Sequence, residues 1–274
     1  MAALHGFRVE GGPVLTEELL LKAAGGVGLT PASFVITRLD RPGARIAVQP
    51  DHYFYPASMI KTPLALAAFE LVQEHVLNLD ETFQVTQANM TANDKDSPLV
   101  PGYIAPLHQL IELMLTISDN VATNVLFDVL GRERATQIVQ QQFGLTNTAF
   151  HRKLSGSDPL IVDPGWDKVH RNSHTAGDAA KLFELIARDE VPFARLFRSI
   201  LERQQWNNKL PAGLYPGDRF AHKTGDTDEV THDGGILDTQ EGASYVLVVY
   251  TGMVSSDINN AKFGPFMSAI RSYL

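Results

Sequence analysis

The 274-residue sequence predicts an α+β fold: an antiparallel sheet built from N- and C-terminal segments, flanked by helices, with an all-helical lobe inserted between them. Three observations carry this prediction. Short β-rich runs lie near both ends of the chain, helical periodicity fills the stretch between them, and a 44% hydrophobic content suffices for a real core. The expected division is residues 1–55 with 205–274 for the sheet-bearing lobe and 56–204 for the helical lobe.

Residues 16–24 read as a first helix, opened by Thr16 and stopped by Gly25-Gly26. Residues 32–37 and 44–48 are short strands separated by the turn Asp40-Arg41-Pro42-Gly43, so a hairpin is expected. Over 58–76 the apolar residues Met59, Leu64, Leu66, Phe69, Leu71 and Val72 occupy more than one face, which predicts a buried helix through the middle of the molecule. Three more helices are expected over 107–115, 121–130 and 132–143, the last two ended by Gly131 and Gly144. Periodicity fails over 145–172, where Gly156, Pro159, Pro164 and Gly165 punctuate an irregular loop of a length that is more often functional than filler. Helices return over 176–187 and 193–204, strands follow over 219–225, 231–237 and 243–251, and residues 257–274 close the chain as a helix.

The net charge is −8 and no long basic run concentrates the positive side chains, which argues against a nucleic-acid partner. No stretch reaches the apolar length of a membrane span, about eighteen residues. Cysteine is absent, which excludes disulfides, iron–sulfur clusters and thiolate nucleophiles. Residues 1–15 show no basic segment followed by an apolar one, so no export signal is expected; the chain is cytoplasmic as written, or periplasmic or secreted if a signal peptide has been removed. A monomer is expected.

Three short strings bear chemistry: Ser58-Met59-Ile60-Lys61 at the start of the buried helix, Ser118-Asp119-Asn120 between two helices, and Lys223-Thr224-Gly225 at the end of a strand. Serine and lysine three apart share a helix face, and a lysine among apolar neighbours and a second cation becomes basic enough to take the hydroxyl proton. A hydroxyl at a helix N-terminus also has free N–H groups for an oxyanion. Ser118 can relay a proton to a leaving amine, Asn120 can donate to a substrate carbonyl, and Lys223 can meet a carboxylate. The strand edge at Gly225 admits an extended substrate, with the Asp226 N–H completing an oxyanion hole. Each string has an ordinary alternative: a solvated helix start, a helix cap, a strand-end turn. The specificity lies in their combination and order.

These strings and their spacing resemble the motifs of the penicillin-recognising serine hydrolases, and the chain is most similar to the class A β-lactamases. The similarity extends through Val121, Ala122, Thr123 and Asn124 and through the C-terminal strands, so it covers nearly the whole chain. It implies the β-lactamase/transpeptidase fold, Ser58 as acylated nucleophile, Lys61 as proton acceptor, Ser118 as proton relay, Asn120 as amide-binding group, and Lys223 with Thr224 as carboxylate site. It implies a small-molecule β-lactam substrate, no cofactor and no metal. The alternatives are an esterase or D-alanyl peptidase with the same nucleophile, or a penicillin-binding protein that acylates and stalls.

Two departures from that family stand out. Class A enzymes carry a loop Glu that activates the deacylating water, but no Glu occurs here between Glu133 and Glu184, and the loop begins His151-Arg152-Lys153-Leu154-Ser155. Asn124 matches the position that normally holds that Glu, so its partner is expected to be missing. Asp158, Asp163 and Asp167 remain as carboxylates, of which Asp158 and Asp163 are the candidate deacylation bases, with Arg152 pairing to one of the three as loop anchor. The second departure is the set of acidic residues Asp226, Asp228, Glu229 and Asp233 beyond Lys223-Thr224-Gly225, which is expected to repel an anionic substrate. His222 and His232 are weighed as acid–base groups against ordinary strand histidines, and His170 with His174 as a zinc pair that lacks a third ligand.

Overall fold

The computed structural model describes residues 14–156 and 161–274. In chain order its helices are α1 (Glu17–Val27), α2 (Lys61–Gln73), α3 (Leu107–Thr116), α4 (Asn120–Leu130), α5 (Arg132–Gln137), α6 (Ala176–Ala187), α7 (Ala194–Glu202), α8 (Asp257–Asn260) and α9 (Phe263–Arg271). Its strands are β1 (Ala32–Arg38), β2 (Arg45–Val48), β3 (Thr82–Gln84), β4 (Ile104–Pro106), β5 (Arg219–Asp226), β6 (Thr231–Asp238) and β7 (Ser244–Thr251).

A five-stranded antiparallel sheet in the order β2-β1-β7-β6-β5 joins the two ends of the chain, with Ala32 opposite Thr251 and Thr224 opposite Asp233. Both faces are covered. Leu15, Leu20, Phe263, Phe266 and Ile270 pack on one face through Phe34, Leu247 and Val249. On the other face Val35, Ile236 and Val248 belong to a larger core with Leu64, Phe69, Ile111, Leu126 and Phe183. The small β3–β4 ribbon is an element that the sequence did not announce.

Four boundaries differ from expectation for physical reasons. α1 runs through Gly25-Gly26 and ends where Gly28 takes a left-handed φ of 69°, its N–H closing on the Ala24 and Gly25 carbonyls. The helix expected from Ser58 starts instead at Lys61, preceded by a tighter 3-10 turn, Ala57–Ile60. Pro63 explains this: it has no N–H for the Met59 carbonyl, which is taken by the Thr62 hydroxyl at 2.7 Å, and a start at Lys61 puts the proline in the first helical turn. Pro265 likewise sits in the first turn of α9 and breaks the expected terminal helix in two. The helix expected over 132–143 becomes a wider turn at Ile138–Gln142 before Gly144, with φ of 64°, ends it.

Candidate active site

Burial places the first motif. Lys61 is fully buried at the head of α2, and its Nζ donates to the Ser118 carbonyl at 2.5 Å, to Ser118 Oγ at 3.0 Å and to Asn120 Oδ1 at 2.7 Å. Ser118 lies between α3 and α4 with a left-handed φ of 61°, unusual for a residue with a Cβ, and this strained turn aims its hydroxyl at the two lysines. Asp119 caps α4 by accepting the Ala122 N–H at 2.9 Å, so the tripeptide is a helix cap and a chemical site at once. Asn93 braces it: its Oδ1 accepts the Asn120 N–H at 2.6 Å and its Nδ2 donates to Asp119 at 3.2 Å.

From β5, fully buried Lys223 donates to Ser118 Oγ at 3.0 Å and to the Thr224 carbonyl at 2.9 Å. Ser118 Oγ therefore lies between two buried amines. Burial, then the neighbouring Lys223, holds Lys61 well below the usual lysine range. Burial also lowers Lys223 to about 7, while Asp226 and Lys209 pull it in opposite directions.

Ser58, half-buried, is positioned through the backbone. Its turn lies so close to β5 that a Cβ on Gly225 would stand 2.9 Å from the Pro56 carbonyl, which only glycine avoids. From β6, His232 Nε2 donates to the Tyr55 carbonyl at 2.8 Å while its Nδ1 accepts the Thr251 N–H at 3.0 Å. His232 is thus a strut for the turn that carries Ser58. Among the described residues Ser58 Oγ makes no hydrogen bond with Lys61, Ser118 or Lys223. His222 is likewise engaged, with Asp233 at 2.7 Å and Asn207 at 3.1 Å.

The loop after the second motif differs from expectation. Asn124, buried on α4 one turn beyond Asn120, lacks the Glu partner and bonds the main chain instead: it donates to the Leu154 carbonyl at 2.9 Å and accepts the Leu154 N–H at 2.8 Å. Leu154, itself buried, stands where the resemblance places the loop Glu. Asp163 is occupied on both oxygens, by the Arg132 guanidinium and by the Lys153 N–H at 2.8 Å. The loop anchor is Arg132, not Arg152, which lies 4.9 Å over the Trp166 ring. Asp167 is bound to His170 at 2.5 Å on the exposed rim, and Asp158 lies outside the described residues. His170 and His174 diverge: the former is exposed, the latter buried against the Thr148 hydroxyl at 2.7 Å. Among the described residues no group of three or more His, Cys, Asp or Glu could hold a metal, and no helix is long and apolar enough to cross a membrane.

The acidic run is also compensated. Glu229 forms a two-pronged pair with Arg171, both bonds 3.0 Å, and Asp226 accepts Lys209 Nζ at 2.7 and 2.8 Å. Sequence reasoning missed Asn93 and Lys209, which sit in unremarkable loop sequence; only the chain's return to the motifs reveals them.

The chain as a whole is similar to known proteins. The chain is 25% identical over 219 residues to the extended-spectrum β-lactamase PER-1 of Pseudomonas aeruginosa, covering 75% of this chain and 70% of that one. It is similar in structure to PBP-A, at 29% identity, TM-score 0.78 and coverage of 93% and 94%, and a mutant of that protein has been solved as an acyl-enzyme complex with penicillin-G. An ancestral class A β-lactamase shares the fold at 23% identity, TM-score 0.79 and coverage of 94% and 99%. The model of the beta-lactamase enzyme family matches residues 18–270, and with both faces of the sheet, the three motifs and nearly the whole chain accounted for, the protein belongs to that family.

Proposed function

We propose that the protein is a class A-like serine hydrolase that opens a β-lactam by forming an ester on Ser58, and that release of this ester is its slow step. The observation that carries the reading is Ser118 Oγ held 3.0 Å from each of two desolvated amines. Burial, then Lys223, disfavours the charged form of Lys61, which in its neutral form accepts the Ser58 proton as Oγ bonds to the carbonyl carbon. The N–H groups of Ser58 and Asp226 take the oxyanion. As the C–N bond breaks, Ser118 gives its proton to the nitrogen and regains one from the Lys61 ammonium. Asn120, one N–H of which binds the Ala92 carbonyl at 2.8 Å, offers the other to the substrate amide, and Lys223 with Thr224 receives the carboxylate.

Hydrolysis of the ester needs a base for water. The backbone bracketed by Asn124 supports a long-lived ester, because it presents the Leu154 side chain and no carboxylate. Intact-mass measurement after mixing with benzylpenicillin tests both parts. A stoichiometric adduct that decays slowly is expected for the native protein, and none for Ser58→Ala. Equal turnover by Ser58→Ala rules the reading out, and an adduct too brief to detect rules out the slow step.

A further inference from the structure

We propose that Asp226, backed by Lys209, sets substrate class at the carboxylate end of the cleft, disfavouring acyl donors that carry an anion there relative to neutral ones; this rests on the Ser58 reading above. Residues two apart on a strand share a face, so Asp226 stands on the side of β5 that presents Thr224, and opposite it across the ladder is Thr231. The Asp226 carboxylate is held from several directions: Lys209 Nζ at 2.7 and 2.8 Å, Thr231 Oγ1 at 3.0 Å and Ser255 Oγ at 2.6 Å. It cannot swing away from the strand end without breaking all of them.

The pair is oriented. The Lys209 side chain is 1% exposed and that of Asp226 33%, so the ammonium lies behind the carboxylate and the negative end faces outward. Lys209 is also spent as a donor, its remaining hydrogen bond running to the His232 carbonyl at 3.0 Å. A substrate carboxylate arriving at Thr224 therefore meets Lys223 and, two residues further along the strand, a fixed carboxylate whose counter-ion lies behind it. A neutral ester at the same place meets no such opposition.

The test uses benzylpenicillin and its methyl ester, which differ at one group, and measures the ratio of their rates of Ser58 acylation by intact mass. The expected order of the anion-to-ester ratio is Lys209→Met below native and Asp226→Asn above it, the latter by about tenfold, as suits one charge removed from a partly solvated site. Asp226→Ser keeps Lys209 and repeats the measurement if the asparagine variant does not fold. Ratios within twofold of native in the folded variants, or the reverse order, overturn the proposal. Absence of any Ser58 adduct from either compound on the native protein overturns the Ser58 reading itself, which separates the two failures.

Discussion

On one side of the cleft Lys61, Ser118 and Lys223 are joined by hydrogen bonds of 3.0 Å or less, with both lysines withdrawn from water. On the other side the loop carries two described carboxylates, Asp163 and Asp167, each already bound to a cation or histidine. The two sides are joined through α4, where Asn120 and Asn124 are four residues apart and share a helix face, one serving the lysines and the other bracketing Leu154. On the proposed reading, the groups that make the ester form one unit held by burial and mutual hydrogen bonds, and the carboxylate that would break it is a separable addition to the loop.

The largest effect should come from the first side. Lys61→Met keeps the apolar stem and removes the amine, so acylation of Ser58 by benzylpenicillin should slow by about a thousandfold, within the range of a lost general base. Stopped-flow or quenched mass spectrometry reads this rate, and a loss under tenfold would mean that the buried amine is not the proton acceptor.

Next comes the exchange that tests the second side. Leu154→Glu puts a carboxylate on the backbone that Asn124 fixes, and the adduct lifetime should shorten by about a hundredfold while the acylation rate changes little. Replacing a buried leucine with an ionisable group also lowers the melting temperature, since the carboxylate must be desolvated or drag in water. An adduct that persists as long as before shows that position 154 does not face the ester carbonyl, and the contrast between the two sides would need another explanation.

The pH dependence is smaller and sharpens the first side. Lys223, lowered to about 7 chiefly by burial, is charged below that pH and neutral above it. Its attraction for a substrate carboxylate is present at pH 6 and lost as pH rises through 7, so kcat/KM for acylation by benzylpenicillin should fall several-fold by pH 8. Lys61 is held well below the usual lysine range by burial first and by Lys223 second. Acylation by the methyl ester should be nearly flat, and a matching fall for the ester would assign the titration to another group.

The fold and the three motifs were legible because each rests on local rules. Short β-rich runs set between turn residues marked β1, β5, β6 and β7, glycines and caps marked the helix ends, and Ser58, Lys61, Ser118 and Lys223 lay in strings whose order is informative. What the sequence hid was set by distant contacts. Asn124 reads as orphaned until the chain folds back and offers it Leu154; Asp226 reads as an unpaired carboxylate until Lys209, seventeen residues earlier, is seen buried against it. Asp163 looks like an available base because nothing local shows Arg132 at its oxygen. His232 could be either a base or a core residue until both ring nitrogens find main-chain partners. The motif serine lies one turn ahead of the helix it seems to start, because Pro63 has no N–H for the Met59 carbonyl.

The smallest expected effect tests the contrast most directly. His170 and Asp167 form the one described His–Asp pair on the loop, and such a pair is chemically suited to activating water. Its setting argues otherwise. Both side chains are about half exposed, at 64% and 49%, and the Asp167 carboxylate is pulled below its usual range first by the His170 ring and then by the His170 and Val169 N–H groups, the pattern of a self-contained turn. His170→Ala should therefore leave the adduct lifetime within a factor of two of native and move Tm by less than about 1 °C, as for other exposed pairs. A lifetime prolonged tenfold at unchanged Tm would make this pair the missing base, and the loop would then hold its own deacylation chemistry in place of a vacant carboxylate position.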